Sequence, residues 1–417
     1  MSPLPVSPRL PASVPAAAAV AAPVWIRRGT REYRDAGLSL FLLGFASFSL
    51  IYCVQPLLPD LARNFHVDPA TSSLALSLTT GLLAVSIVFA GAFSQALGRK
   101  GLMFVSMILA AGLDLVAATV TEWHALLVAR ALEGVALGGV PAVAMAWLAE
   151  EIDPAHLGKT MGLYVGGTAF GAMMGRVGMG LMTEFASWRV ALGGLGVLCL
   201  AASLGFAVLL PPSRNFVRKP GFDLGFHFGA WARHLRNRDL IRLYATGFLL
   251  TSIFVTLFNY STFRLAAQPW GFDRTEISLI FLAFGFGIVS SSVAGALADR
   301  IGRRPLLIGG FVTMFAGVLL TLMASLVAIV CGIALVTTGF FVGHAVASGA
   351  VGPRAGVAKG HAASLYLLFY YMGSSVTGSL GGWVWQAGGW PAVVGMTGAF
   401  ALVGTGLAVV SIRPRAG

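Results

Sequence analysis

The sequence predicts an all-α membrane protein of twelve transmembrane helices in two six-helix, pseudo-symmetric bundles. Three observations predict it. Apolar runs of about 20 residues, enough to cross roughly 30 Å of hydrocarbon as helix, recur along the chain. Charged residues are only 11% of the 417, and they gather in the short links between those runs. Two of these links repeat one another: residues 91–101 read GAFSQALGRKG and residues 295–305 read GALADRIGRRP.

Taken in order, the expected spans cover 36–58, 71–96, 101–121, 124–149, 160–185, 188–211, 241–264, 275–298, 305–324, 326–349, 361–386 and 391–412. An even number puts both termini on one side, and arginine and lysine decide which. Arg27, Arg28, Arg31, Arg34, the two repeated turns, Lys159, the 212–240 link, Arg354, Lys359, Arg413 and Arg415 share a face. The opposite loops hold Arg63, Arg189, Arg264 and Arg274, partly offset by Asp60, Asp68, Glu184, Asp273 and Glu276. The first face is therefore expected to be cytoplasmic, with both termini on it.

Before the first span, residues 1–34 are rich in proline and alanine and read as a disordered cytoplasmic tail. No basic segment precedes the AAAAVAA stretch, so a signal peptide is not expected there. The N-terminal bundle covers 35–211 and the C-terminal bundle 241–412. Between them, the 212–240 link carries Arg214, Arg218, Lys219, Arg233, Arg236 and Arg238, with a short amphipathic piece at 226–235 suited to the membrane surface. A net charge of +12 would suggest nucleic acid in a soluble chain. Here the topology accounts for it, and the expected surroundings are the lipid bilayer, with no nucleic acid. Cys53, Cys199 and Cys331 all fall in apolar runs, which argues against disulfides or a metal site. With no metal-ligand spacing, nucleotide loop or nucleophile constellation in view, neither an enzyme nor a cofactor is expected.

The halves repeat beyond the turns. LYVGGTAFG at 163–171 aligns with LYLLFYYMG at 365–373, and the same offset places Trp188 on Trp390. Ionisable residues inside the spans are costly and mark function; they are Asp114, Arg130, Glu133, Arg176 and His344. Asp114 lies eight residues before Glu122, Arg130 eight after it, and Arg176 eight before Glu184. At the helical rise, each sits about 12 Å below the same surface. Two readings follow. The four charges form a permanent cluster tying spans 3 to 5 together, or Glu133, ahead of Asp114, takes a proton during transport while a nearby arginine sets its affinity. His344 titrates near neutral pH or simply packs. Phe45, Tyr52 and Gln55 in span 1, Phe258, Asn259 and Tyr260 in span 7, and Tyr366 and Tyr370 in span 11 would suit a cavity for a moderately apolar small molecule. The same rings at helical spacing would also serve as plain packing.

The repeated turns resemble the G-x-L-a-D-r-x-G-r-k signature of the major facilitator superfamily, which stands between its second and third helices and again between its eighth and ninth. The C-terminal copy matches in full at Gly295, Asp299, Arg300, Gly302, Arg303 and Arg304. The N-terminal copy keeps Gly91, Gly98 and Arg99 but has Gln95 in place of aspartate and Ala96 in place of arginine. LLVARALEGVALGG resembles the family's R-x-x-q-G motif in the fourth helix, associated with proton transfer, with Glu133 at the glutamine position. The glycine-dense fifth span is similar to the antiporter motif typical of exporters, with Arg176 where that motif has proline. FVTLFNY, GHAVAS, GPRAGVAKGHAASLYLLFYYMGSS and GAMMGR look like the YnfM-type inner-membrane transport proteins of bacteria, of the drug and sugar efflux branch.

The resemblance implies a bacterial inner-membrane transporter, a monomer whose halves rock around a cavity lined by spans 1, 4, 7 and 10. Proton-coupled efflux of a small amphiphilic compound is the expected function. Uptake or facilitated diffusion of a sugar or organic anion is the alternative, with Arg176 as a contact. The motif glycines would let helices approach closely. Asp299 would cap the start of span 5 near Gly158 and Lys159, and Gln95 would lack the equivalent charge, making the gate asymmetric.

Overall fold

A computed structural model describes residues 24–216, 224–356 and 358–411, leaving aside the side chains of residues 91, 92, 95–97, 224, 296, 299 and 411. The described residues are almost entirely helical. Ten helices among them are long and apolar enough to cross a membrane. One of these, Lys359–Val410, bends through non-helical backbone at Gly388 and Gly389 and makes two spans. Leu157–Phe185, whose hydropathy is diluted by glycines and Arg176, supplies the twelfth.

Spans 2, 3, 5, 6, 7, 9 and 10 are the continuous helices Pro69–Leu97, Arg99–Thr119, Leu157–Phe185, Trp188–Leu209, Arg238–Ala266, Arg303–Leu320 and Leu326–Ala355. Spans 1, 4, 8 and 11 are interrupted, a feature that the apolar runs did not announce. Span 1 is Arg31–Tyr52, a 3-10 turn Gln55–Leu57 and Leu58–Phe65, and span 4 is Trp123–Leu137 and Pro141–Glu151. Span 8 passes through a 3-10 turn at Ile280–Ala283, and span 11 through a π-helical turn at Gly373–Thr377. Proline explains two of the breaks. Pro56 and Pro141 stand at or just inside the restarts, where a missing N–H costs least.

Helix contacts reveal the repeat. Span 1 packs on span 5 as span 7 packs on span 11. Span 2 on span 4 matches span 8 on span 10, and span 3 on span 6 matches span 9 on span 12. Glycine makes the first pairing possible. Gly167, Gly171 and Gly175 lie directly on the backbone of Phe41, Phe45 and Ser49, and Ser49 Oγ donates to the Gly171 carbonyl at 3.0 Å. In the other half Gly373 lies on the Phe248 carbonyl, and Thr251 Oγ1 donates to the Tyr370 carbonyl at 2.6 Å. Small residues in membrane interfaces replace the missing hydrophobic drive with close backbone approach.

The repeated turns place Gly98 and Gly302 at φ +93° and +83°, a conformation that favours glycine. Both join an even span to the next odd one, so Arg99 and Arg303 lie at the same end of the bundle. Gly295, expected to allow close helix approach, does not do so: a Cβ there would meet nothing within 4 Å. The glycine that the turn requires is Gly302. The side chains of Gln95 and Asp299 fall outside the described residues, and with them the expected cap on span 5.

At the signature-turn end, residues 24–34 of the expected tail are ordered. Ile26 is buried, its N–H donates to the Glu151 carbonyl at 2.8 Å, and the first helix begins at Arg31. Glu151 accepts the backbone N–H groups of Arg214 and Asn215 at 2.9 and 3.0 Å, fixing the start of the link. Within the link the helix Leu224–Arg236 buries Trp231 edge-on against Phe89 of span 2 and leaves Phe226 and Phe228 exposed. At the far end Asp68 caps span 2, and its bonds from the Thr71 backbone N–H and hydroxyl hold its carboxyl below the usual range.

The glycine seam yields a test. A methyl at Gly171 would press into the Phe45 carbonyl, costing about 1–3 kcal/mol by overpacking, against about 1 kcal/mol gained in helix propensity. Gly178 of the same helix faces open space. Thermal unfolding in detergent should show Gly171→Ala melting lower than the parent, with Gly178→Ala unchanged or higher.

Candidate functional site

Span 1 stops being helical at Tyr52, so its last carbonyls lack intrahelical partners. Arg130 of span 4 supplies them. Its Nη2 donates to the carbonyls of Leu50 and Ile51, both at 3.1 Å, and its Nε to the Ala75 carbonyl of span 2 at 3.3 Å. Nη1 bonds Glu133 Oε2 at 2.6 Å and lies 3.5 Å from Asp114 Oδ1 of span 3 and 3.7 Å from Cys53 Sγ. Arg130, Glu133 and Asp114 are all fully buried. One guanidinium therefore ties four spans together and serves two carboxylates. Each carboxylate keeps one buried oxygen without a hydrogen-bond partner, Asp114 Oδ2 and Glu133 Oε1.

The expected four-member charge cluster does not form, because Arg176 is not part of it. No carboxylate among the described residues lies within ion-pairing distance of Arg176. Its Nε donates to Gln55 Oε1 at 2.6 Å and its Nη1 to the carbonyl of Ala172 one turn earlier. The guanidinium carbon sits 4.1 Å from the ring centroid of Tyr52, 4.7 Å from that of Phe284 and 5.3 Å from that of Phe281. Cation–π contacts of this kind hold a desolvated guanidinium. Gln55 Nε2 in turn donates to Asn259 Oδ1 of span 7 at 2.6 Å, leaving Asn259 Nδ2 buried and unpartnered. A polar chain thus runs from span 5 through the break in span 1 to the opposite half.

The two arginine sites adjoin along span 1. Cys53 lies against Arg130, and its neighbour Tyr52 lies against Arg176. Asp114 of span 3, fully buried, comes within 3.9 Å of Cys53.

The other candidates divide. Phe258 stacks on Phe281 at 5.2 Å and belongs with the Arg176 surroundings. His344 Nδ1 is 3.0 Å from the Tyr366 hydroxyl, its ring 4.7 Å from Tyr370 and stacked on Phe340, which places the three in an aromatic layer of the C-terminal half. Tyr260 donates to the Gly378 carbonyl at 2.7 Å and stacks on Trp385, pinning span 7 to span 11. Phe45 packs on Phe170 of span 5.

The contacts between halves include residues that sequence reasoning passed over. Arg274 of span 8 bonds both oxygens of Asp60 at 3.1 Å and the Thr183 carbonyl at 3.0 Å, while Thr275 bonds Glu184 at 3.2 Å. The sequence places Asp60 and Arg274 among the loop charges, because span 1 continues past its break as Leu58–Phe65 and only there buries Asp60. Spans 5 and 8 meet mainly at this far end. Spans 2 and 11 meet at the π-helical turn, where Ser375 Oγ donates to the Ser77 carbonyl at 2.7 Å. At the signature-turn end Arg99 pairs with Glu150 of span 4 at 2.6 Å, within one half.

The major facilitator superfamily model matches residues 40–267 and 262–416, one stretch for each half. The chain belongs to this superfamily. It is 45% identical over 372 residues to the MFS-type transporter YybF of Bacillus subtilis, covering 89% of this chain and 92% of the relative. It is 43% identical over 369 residues to the inner membrane transport protein YnfM of Escherichia coli, covering 88% of each. A more distant relative is the multidrug resistance protein MdtL of Salmonella typhimurium, 28% identical over 386 residues and 90% of each chain. Among solved structures, the human organic anion transporter MFSD10 shares the fold, with a TM-score of 0.70 and 20% identity over 91% of this chain and 99% of that one. This superfamily member is therefore a multi-pass membrane transporter and not an enzyme.

Removing one partner of a buried charge network strands the others, at about 3–5 kcal/mol. Arg130→Met leaves two carboxylates and three carbonyls without their donor. Glu133→Gln keeps an acceptor for Nη1 and should cost only about 1 kcal/mol. Thermal unfolding of the purified variants should therefore show a much larger drop for Arg130→Met; equal drops would contradict this account of the cluster.

Proposed function

We propose that this transporter couples proton movement to the export of a small amphiphilic compound by alternating access, working as a monomer with its signature-turn face in the cytoplasm. The carrying observation is the Asp114–Arg130–Glu133 cluster hung on the break of span 1. With both carboxylates ionised, the cluster holds one net negative charge in a setting where uncompensated charge is costly. One proton, taken on the free Glu133 Oε1 or Asp114 Oδ2, cancels it. Two acids sharing one site titrate as a pair, so the proton belongs to the cluster and not to either residue alone.

The same guanidinium holds the Leu50 and Ile51 carbonyls. A change in its balance between the acids therefore pulls on the segment that carries Tyr52 and Gln55. Those two residues border Arg176, and Gln55 reaches Asn259 in the other half. Protonation and the contact between halves share one short stretch of backbone, as coupling requires. The Gly167–Gly171–Gly175 seam packs spans 1 and 5 backbone to backbone, so that the N-terminal half can move as one body when the halves rock. Export is supported by that glycine-dense fifth span and by the relative named for multidrug resistance.

Everted membrane vesicles energised to an acid interior, with a pH dye and a panel of amphiphilic compounds, test this reading. Active compounds should cause proton release with the parent chain and none with Glu133→Gln/Asp114→Asn, at equal amounts of folded protein. Unchanged proton release by that double variant would overturn the coupling.

A further inference from the structure

We infer that Arg176, with the amides and rings packed round it, is a binding site for a small organic monoanion carrying a flat apolar group, such as an aromatic carboxylate. The inference rests on the reading that this chain moves a small molecule between its halves, and it names the chemical class of that molecule.

The charge is fixed and unanswered. Arg176 lies in mid-span and is 1% exposed. The two acids at its depth, Asp114 and Glu133, are committed to Arg130. Its Nε and Nη1 are used by Gln55 and Ala172, while Nη2 has no hydrogen-bond partner among the described residues. A buried cation kept without a counter-ion is normally selected against; an arriving anion would complete it. The guanidinium is also the side chain best shaped to meet a carboxylate with two parallel hydrogen bonds.

A second donor waits nearby in the other half. Asn259 Nδ2 is buried, has no partner, and is linked to Arg176 through the Gln55 amide. An anion held by Arg176 of span 5 and Asn259 of span 7 would bridge the halves. The walls define the remainder of the ligand. Tyr52, Phe281 and Phe284 surround the guanidinium, and Phe258 stacks on Phe281. These faces suit a flat apolar body and offer a sugar few hydroxyl partners. A cationic compound would face Arg176 with no carboxylate to receive it. One cation and one neutral donor fit a single negative charge.

The test is equilibrium binding to the purified full chain in lipid nanodiscs, at one pH and with no gradient, so its result does not depend on proton coupling. The probes are benzoate, 1-naphthoate and p-toluenesulfonate, each against its uncharged amide, with benzylamine as the cation. At least one anion should bind ten or more times more tightly than its amide and than benzylamine. Arg176→Gln should remove that preference, and Arg176→Lys should keep part of it. Three results overturn the inference: no anion binding at millimolar concentration, amide or benzylamine binding as tight as the anion, or an unchanged preference in Arg176→Gln. Should Arg176→Gln not fold, the comparison of anion, amide and cation on the parent chain decides alone.

Discussion

Arg130 is the residue on which the membrane core depends. In hydrocarbon a broken helix exposes carbonyls that no water can satisfy, and a lone carboxylate costs several kcal/mol. One guanidinium removes both problems, pairing with two carboxylates on one side and donating to the frayed carbonyls of span 1 on the other. The break at Cys53 and Val54 and the burial of Asp114 and Glu133 therefore support each other. The arrangement also gives span 1 a reason to be the responsive element. Its middle is held by charge-assisted bonds from another helix, where a continuous helix would be held by its own ladder.

The two halves are joined in different ways along their length. At the far end, Arg274 reaches across to Asp60 and the Thr183 carbonyl. At the middle, the Arg176–Gln55–Asn259 chain crosses from one half to the other, and the π-helical turn of span 11 sets Ser375 on the Ser77 carbonyl. A π turn frees a carbonyl and widens the helix locally, here where span 11 meets span 2. Rocking would exchange such polar contacts at one end for others at the opposite end.

The glycine columns complete this division of labour. Gly167, Gly171 and Gly175 bring the backbones of spans 1 and 5 into contact, and Gly373 does the same for spans 7 and 11. These seams lie within each half and keep it a rigid body. The polar links lie between the halves and are the ones that can change partners. Trp188 and Trp390, aligned by the internal repeat, both donate at the far end but to non-equivalent spans, to Asn64 of span 1 and to Thr321 at the end of span 9.

The sequence by itself determined the number of spans, the duplicated turns and the superfamily. Each rests on local rules: the length of apolar runs, the cost of charge in hydrocarbon, and glycine at positive φ in Gly98 and Gly302. It also identified Asp114, Arg130, Glu133, Arg176 and His344, because ionisable residues are rare inside apolar runs, but it left the buried Asp60 in a loop. It did not determine which of them meet. Counting residues gives depth along one helix but not the direction a side chain faces, and Arg130 and Arg176 share a depth while pointing into different neighbourhoods. Only the packing of span 4 among spans 1, 2 and 3, and of span 5 between spans 1 and 8, separated a charge-paired cluster from an unpaired cation. The breaks in spans 1, 4, 8 and 11 were hidden for a related reason: hydropathy reports whether a segment can be buried, while its continuity depends on partners supplied by other helices.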